Sequence, residues 1–191
     1  GGDGNDQLTG ALGNDTLDGG NGTDTLVQAG ATTFTLTNTM LTGVGSDVLI
    51  VIESAKLTSA ATNSTINASA FTAGPVSLTG GAGNDSLLGG SGNDTINGGT
   101  AGKDTIRGGN GNDTLNGGAG GTTIGTIPSS ALANRDDIIH GDAGNDSILG
   151  LGGNDFLFGE SGNDTIDGGD GHDVIDGGDD SDNILGGLGN D

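Results

Sequence analysis

Hydrophobic positions in this chain are sparse and evenly spaced. One aliphatic residue recurs about every nine positions: Leu8, Leu17, Leu26, then Leu87, Ile96, Ile106, Leu115, Ile139, Ile148, Leu157, Ile166, Ile175 and Ile184. The intervening residues are mostly Gly, Asp, Asn and Thr. Neither the 3.6-residue period of a helix nor sustained strand alternation describes this spacing, so the chain reads as a short tandem repeat. Its first 27 residues divide into GGDGNDQLT, GALGNDTLD and GGNGTDTLV. The pattern stops at Gln28, resumes at Gly80 with GGAGNDSLL and GGSGNDTIN, and runs to the end of the sequence. Two irregularities interrupt it: the ten-residue unit GGTAGKDTIR, and a repeat at 117–140 carrying an inserted loop at 121–135 that includes Pro128.

Each position of the nine has a physical task. Gly at positions 1, 2 and 4 permits positive φ and close backbone approach. Asn at position 5 (Asn5, Asn14, Asn84, Asn93) tolerates left-handed geometry best after Gly. Position 6 is Asp throughout: Asp6, Asp15, Asp24, Asp85, Asp94, Asp104, Asp113, Asp137, Asp146, Asp155, Asp164, Asp173, Asp182 and Asp191. Position 7, often Thr, favours a strand, and position 8 turns an aliphatic side chain inward. A six-residue turn followed by a three-residue strand gives a coil of two units. Such units cannot bury a face alone and must stack on their neighbours.

Residues 28–79 lack the motif but are rich in Thr, Val, Ile and Phe, with alternation in FTLT and VSLT. We expect strands within 31–41, 48–57, 64–71 and 76–79, forming rungs of the same solenoid that lack the repeated Asp. Phe34, Leu36, Ile50, Ile52, Leu57, Ile66, Phe71 and Leu78 should face inward. A separate small β domain is the alternative. The expected organisation is repeats at 1–27, rungs without the Asp motif, and so without its metal, at 28–79 and repeats at 80–191, as one continuous solenoid.

Charge then decides what holds the coils together. Twenty-six acidic residues against four basic ones give a formal net charge of −22, and only 30% of residues are hydrophobic. Such a chain is disordered unless something offsets its charge. Nucleic acid and anionic membranes are excluded as partners by the same sign. No apolar run approaches the ~18 residues of a spanning helix. Without cysteine there is no thiolate metal site or thiol nucleophile. Parallel coils ~4.8 Å apart would bring each position-6 Asp against its counterpart two repeats on, which requires a cation between them. Carboxylate and backbone carbonyl oxygens select calcium over a transition metal. Pairing the Asp residues in this way gives about ten shared ions, close to neutralising the chain. His140 and His172 are expected to face solvent. With no histidine-centred nucleophile and base, no enzyme activity is expected.

The units GGDGNDQLT, GGSGNDTIN and GGNGNDTLN match GGxGxDxUx, and the chain resembles the RTX calcium-binding nonapeptide-repeat family. That resemblance implies a parallel β-roll with calcium between adjacent turns, the position-6 Asp residues as side-chain ligands, and a bacterial protein exported by type I secretion. Four units depart at position 2 (Ala11, Asp142, Leu151, Glu160) and one at position 4 (Asp180). The extra residue near Ala101 is expected to distort the site of Asp104. The expected function is calcium-dependent folding outside the cell, as a structural part of a large surface, adhesin or fibre-forming protein. The alternative is the C-terminal module of a secreted protease, lipase or epimerase. Open β-roll ends would favour end-to-end self-association into fibres or a lattice.

Overall fold

The computed structural model describes residues 1–59, 62–117 and 137–191. The inserted loop expected at 121–135 lies outside them. Among the described residues every regular element is a strand. The strands build two long sheets because the nine-residue unit turns the chain from one to the other.

The first sheet runs, in spatial order, β2 (Gln7–Leu8), β5 (Thr25–Ala29), β9 (Ser54–Thr58), β11 (Val76–Ala82), β13 (Thr95–Ala101), β15 (Thr114–Asn116), β17 (Ser147–Gly152), β19 (Thr165–Asp170) and β21 (Asn183–Leu188). Every pairing in it is parallel. The second sheet runs β3 (Thr16–Asp18), β8 (Ser46–Ile50), β7 (Met40–Thr42), β6 (Thr33–Thr37), β10 (Thr65–Ala70), β12 (Ser86–Leu88), β14 (Thr105–Asn110), β16 (Ile138–Ala143), β18 (Phe156–Phe158) and β20 (Val174–Asp176). A short parallel pair, β1 (Gly2–Asp3) with β4 (Gly20–Asn21), continues the stacking into the turns.

Register follows the repeat. Ile148 pairs with Ile166, and Ile139 with Leu157, so position-8 side chains stack in columns. These columns from both sheets meet in one core that is almost entirely shielded from solvent. The extra residue near Ala101 is absorbed as a bulge: Gly81 pairs with Gly99 but Ala82 pairs with Ala101. Asp104 keeps its place in the column, accepting the Asp85 N–H and donating its own to Asp137.

Residues 28–79 add strands to both sheets, with Phe34, Leu36, Leu57, Ile66 and Phe71 fully buried. Two local expectations fail there. First, β7 is antiparallel to both β6 and β8, so this part of the second sheet is not a parallel rung. The cause is a tight reversal in which the Thr37 hydroxyl accepts the N–H groups of Thr39 and Met40. Second, Ile50 faces outward at 42% exposure, because β8 turns Asp47 and Leu49 into the core and alternation forces Ile50 out.

Candidate metal centre

Each position-6 Asp stands where a turn becomes a strand, and this placement aligns the carboxylates in two files along the roll. In one file the backbone N–H of Asp85 donates to Asp104 Oδ1 at 2.8 Å. The same bond then runs from Asp104 to Asp137, Asp137 to Asp155, Asp155 to Asp173 and Asp173 to Asp191. In the other file it runs from Asp94 to Asp113, Asp146, Asp164 and Asp182. Near the start of the chain Asp6 donates to Asp24 in the same way. Asp24, Asp85, Asp94, Asp104, Asp113, Asp137, Asp146, Asp155, Asp164 and Asp173 are buried. Asp6, Asp15 and Asp182 are half-buried, and Asp191 is exposed.

The ladder satisfies only one oxygen of each carboxylate. Oδ2 of Asp15, Asp24, Asp85, Asp113, Asp146, Asp164 and Asp173 is buried without a hydrogen-bond partner. Asp94 differs, since its Oδ2 accepts the Gly90 N–H at 2.6 Å. A buried carboxylate with an unmet oxygen resists ionisation. Burial accordingly pushes Asp104 and Asp146 up to about 7 and Asp113 up to about 6, against the opposing effect of backbone N–H donors. Neighbouring Asp residues of the file raise all three further. Burial also raises Asp85, Asp94, Asp164 and Asp173.

Glycine at position 1 leaves room for oxygens. A Cβ on Gly150 would lie 2.6 Å from both Asp155 Oδ2 and the Gly168 carbonyl oxygen of the next coil. The space in front of Gly150 is therefore bounded by a carboxylate and a carbonyl from adjacent coils. Among the described residues no three His, Asp or Glu side chains converge as a metal cluster. The acids stand in single file, so any site must be completed by backbone carbonyls. Unpartnered carboxylate oxygens beside carbonyls form a hard, all-oxygen donor set, which fits calcium.

Position 2 takes positive φ in the four units where it is not Gly: Ala11 at 62°, Asp142 at 70°, Leu151 at 75° and Glu160 at 77°. Asp180 takes the glycine conformation at position 4, with φ 78°. Position 5 has a different role from the one expected. No described Asn has positive φ. Instead each Asn Oδ1 accepts the N–H of position 5 in the next coil, as Asn112 does from Asn145 and Asn145 from Asn163, each at 2.8 Å. His172 substitutes for Asn in this ladder, its Nδ1 accepting the Asn190 N–H. His140 stacks on Phe158 at 4.8 Å between ring centroids and bonds Glu160, so it packs against neighbours instead of standing free in solvent.

Sequence reasoning missed two acids that stand in the files. Asp15 N–H donates to Asp47 Oδ1, and Asp24 N–H to Glu53 Oε2. For Asp47 a signal existed, since residues 42–49 read TGVGSDVL and differ from the repeat only at position 1. Glu53 follows a turn too short to show any motif.

A parallel solenoid with buried carboxylate files facing glycine turns defines a calcium-binding β-roll. A family model describing the RTX calcium-binding nonapeptide repeat (4 copies) matches residues 1–27, 77–100, 99–124, 133–166 and 158–191. These matches cover more than half of the chain, which belongs to that family. A search among curated proteins finds no match.

Proposed function

We propose that this chain is a calcium-triggered folding module of a secreted bacterial protein, forming a structural stretch of a large surface, adhesin or fibre-forming molecule. The observation that carries this reading is the pair of buried carboxylate files with unpartnered Oδ2 atoms. Their ionised form is costly without a cation and satisfied with one. The position-6 Asp residues hold the ions, about ten in all, each shared between adjacent coils. The bound cation supplies the positive charge that lets neighbouring coils close. Turn glycines admit the carbonyl donors, and the Asn ladder holds the turns in register.

Extracellular modules bind calcium at ~0.1–1 mM, far above cytosolic levels. The chain thus stays unfolded during synthesis and export and folds outside the cell. The uniformity of the flanking files supports a structural role rather than a catalytic one: each flanking repeat carries the same acid at the same position, as metal ligation requires. The module has no catalytic residues in this reading. Exposed ladders suit longitudinal association with further copies.

Circular dichroism with calcium and with excess chelator tests the reading. A β spectrum that appears only with calcium is expected. Full β structure in chelator, with no change on adding calcium, would overturn it. Scattering in calcium tests self-association, and a strictly monomeric particle would favour a module that merely carries an enzyme.

A further inference from the structure

Asp47 lies outside the residues matched to the repeat, yet its turn reproduces the contacts of the metal-binding coils. In a regular coil the Asp146 N–H donates to Asp164 Oδ1, the Asn163 N–H to Asn145 Oδ1, and the Thr165 N–H to the Asp146 carbonyl. At residues 42–48 the same three bonds recur. The Asp15 N–H donates to Asp47 Oδ1 at 3.0 Å, the Ser46 N–H to Asn14 Oδ1 at 3.0 Å, and the Val48 N–H to the Asp15 carbonyl at 2.8 Å. Gly13 and Gly45 also bridge in parallel. The two turns are 32 residues apart instead of 18, because the antiparallel β7 intervenes.

The side chains then converge more tightly than elsewhere. Asp47 is 1% exposed, and its Oδ2 has no hydrogen-bond partner. The Asp15 Oδ2 has none either. Both face Gly10, where a Cβ would lie 2.6 Å from Asp47 Oδ2 and 3.2 Å from Asp15 Oδ2. At Gly150 the corresponding space is bounded by one carboxylate and one carbonyl, so the Gly10 space carries the greater negative charge. Affinity for a hard cation rises with the number of charged ligands.

We propose that the turns 10–15 and 42–47 enclose a further calcium site, with Asp15 and Asp47 as its carboxylate ligands. This rests on the reading of the repeats as calcium sites. The site fastens the start of the roll to the remainder, because β3 is at the edge of the second sheet and, among the described strands, pairs there with β8 alone. Glu53 is a contrasting case. It accepts the Asp24 N–H at 2.7 Å, but residues 51–53 provide no glycine turn, and no site is assigned there.

The test uses the full chain with calcium, read by native mass spectrometry and amide hydrogen exchange. D47N preserves an acceptor for the Asp15 N–H. It should bind one calcium fewer than the parent and lose calcium-induced protection at 15–17 and 47–49. Protection at 86–88, 95–97 and 165–167 should persist. D15N, at a half-buried position, should show the same loss of one ion should D47N fold poorly, and the double variant should lose no more than either single one. An unchanged ion count in both single variants, or unchanged protection at 15–17, would overturn the proposal. Absence of calcium binding by the parent chain would instead overturn the reading of the repeats themselves, and this site with it.

Discussion

Lowering pH should have opposite effects on the calcium-free and calcium-loaded chain. In the calcium-free roll Asp104 and Asp146 titrate at about 7 and Asp113 at about 6, against 3.8 as the ordinary value. The folded state therefore binds protons more readily than the unfolded one. Their contribution is fully favourable below the ordinary value and is lost as pH rises through 6 to 7. Each unit of difference is worth about 1.4 kcal/mol. Going from about pH 7.5 to about pH 5.5, these three groups nominally return about 4–5 kcal/mol to the folded state. Dielectric screening and relaxation around these groups reduce that to about half, on the order of 2 kcal/mol. That is roughly a thirtyfold shift in the folding equilibrium. With calcium bound the sign reverses, because protons compete with the metal for the same oxygens. The assay is far-ultraviolet circular dichroism with urea titration, since the chain has neither Trp nor Tyr for fluorescence. In chelator the chain should be unfolded near neutral pH and gain β signal as pH falls, and in saturating calcium the urea midpoint should fall with pH. Slopes of the same sign in both conditions, or a flat profile in chelator, would refute the account of the buried carboxylates.

Three substitutions separate the forces at work. Gly150→Ala places a methyl group between Asp155 and the Gly168 carbonyl and should cost about 1–3 kcal/mol as overpacking; calcium titration should show the midpoint moving to higher concentration. Leu151→Gly removes an exposed β-carbon from a residue at φ 75° and should stabilise the loaded roll by about 1 kcal/mol, read from the urea midpoint. Phe34→Ala empties a fully buried place in the central segment and should cost about 3–5 kcal/mol. Because binding is coupled to folding, raising calcium should partly recover both variants, whereas only Gly150→Ala should weaken calcium binding by the folded roll itself.

What could be read from the sequence was whatever the nine-residue period carries locally. The inward aliphatic residues from Leu26 to Ile166 and the Asp files need only the spacing of the repeat and the alternation of a strand. Three features depend on pairings between distant residues and were not legible. The antiparallel β7 arises from a hydroxyl-capped turn at Thr37, whose sequence is only one of several Thr-rich stretches. The Asn ladder links residues in successive coils and exists only once register is fixed, so position 5 looked like a backbone preference. Asp47 was hidden because one Thr replaces Gly at position 1 and because its turn is out of phase with the repeats on either side.

Central and flanking coils reach the same ladder by different means at one structural place. Where the regular files hold Asp, the central segment has Ser64 and Val76, whose N–H groups donate to Asp85 and Asp94. Val76 in turn pairs with Ala55, and all three residues are buried. None introduces a charge, so the coils of this segment need no cation to close there, and Phe34, Leu36, Ile66 and Phe71 fill the interior with bulk that the flanking repeats lack. The flanks have one aliphatic residue per unit and a carboxylate beside it, and this is too little burial to offset the entropy of ordering. A solenoid is stabilised by its interfaces as well as by its units. In the folded roll the central coils thus supply an edge on which Asp85 and Asp94 are held by backbone donors. When calcium folds the chain, the roll extends from that edge outward, coil by coil, along the files that begin at Asp85 and Asp94.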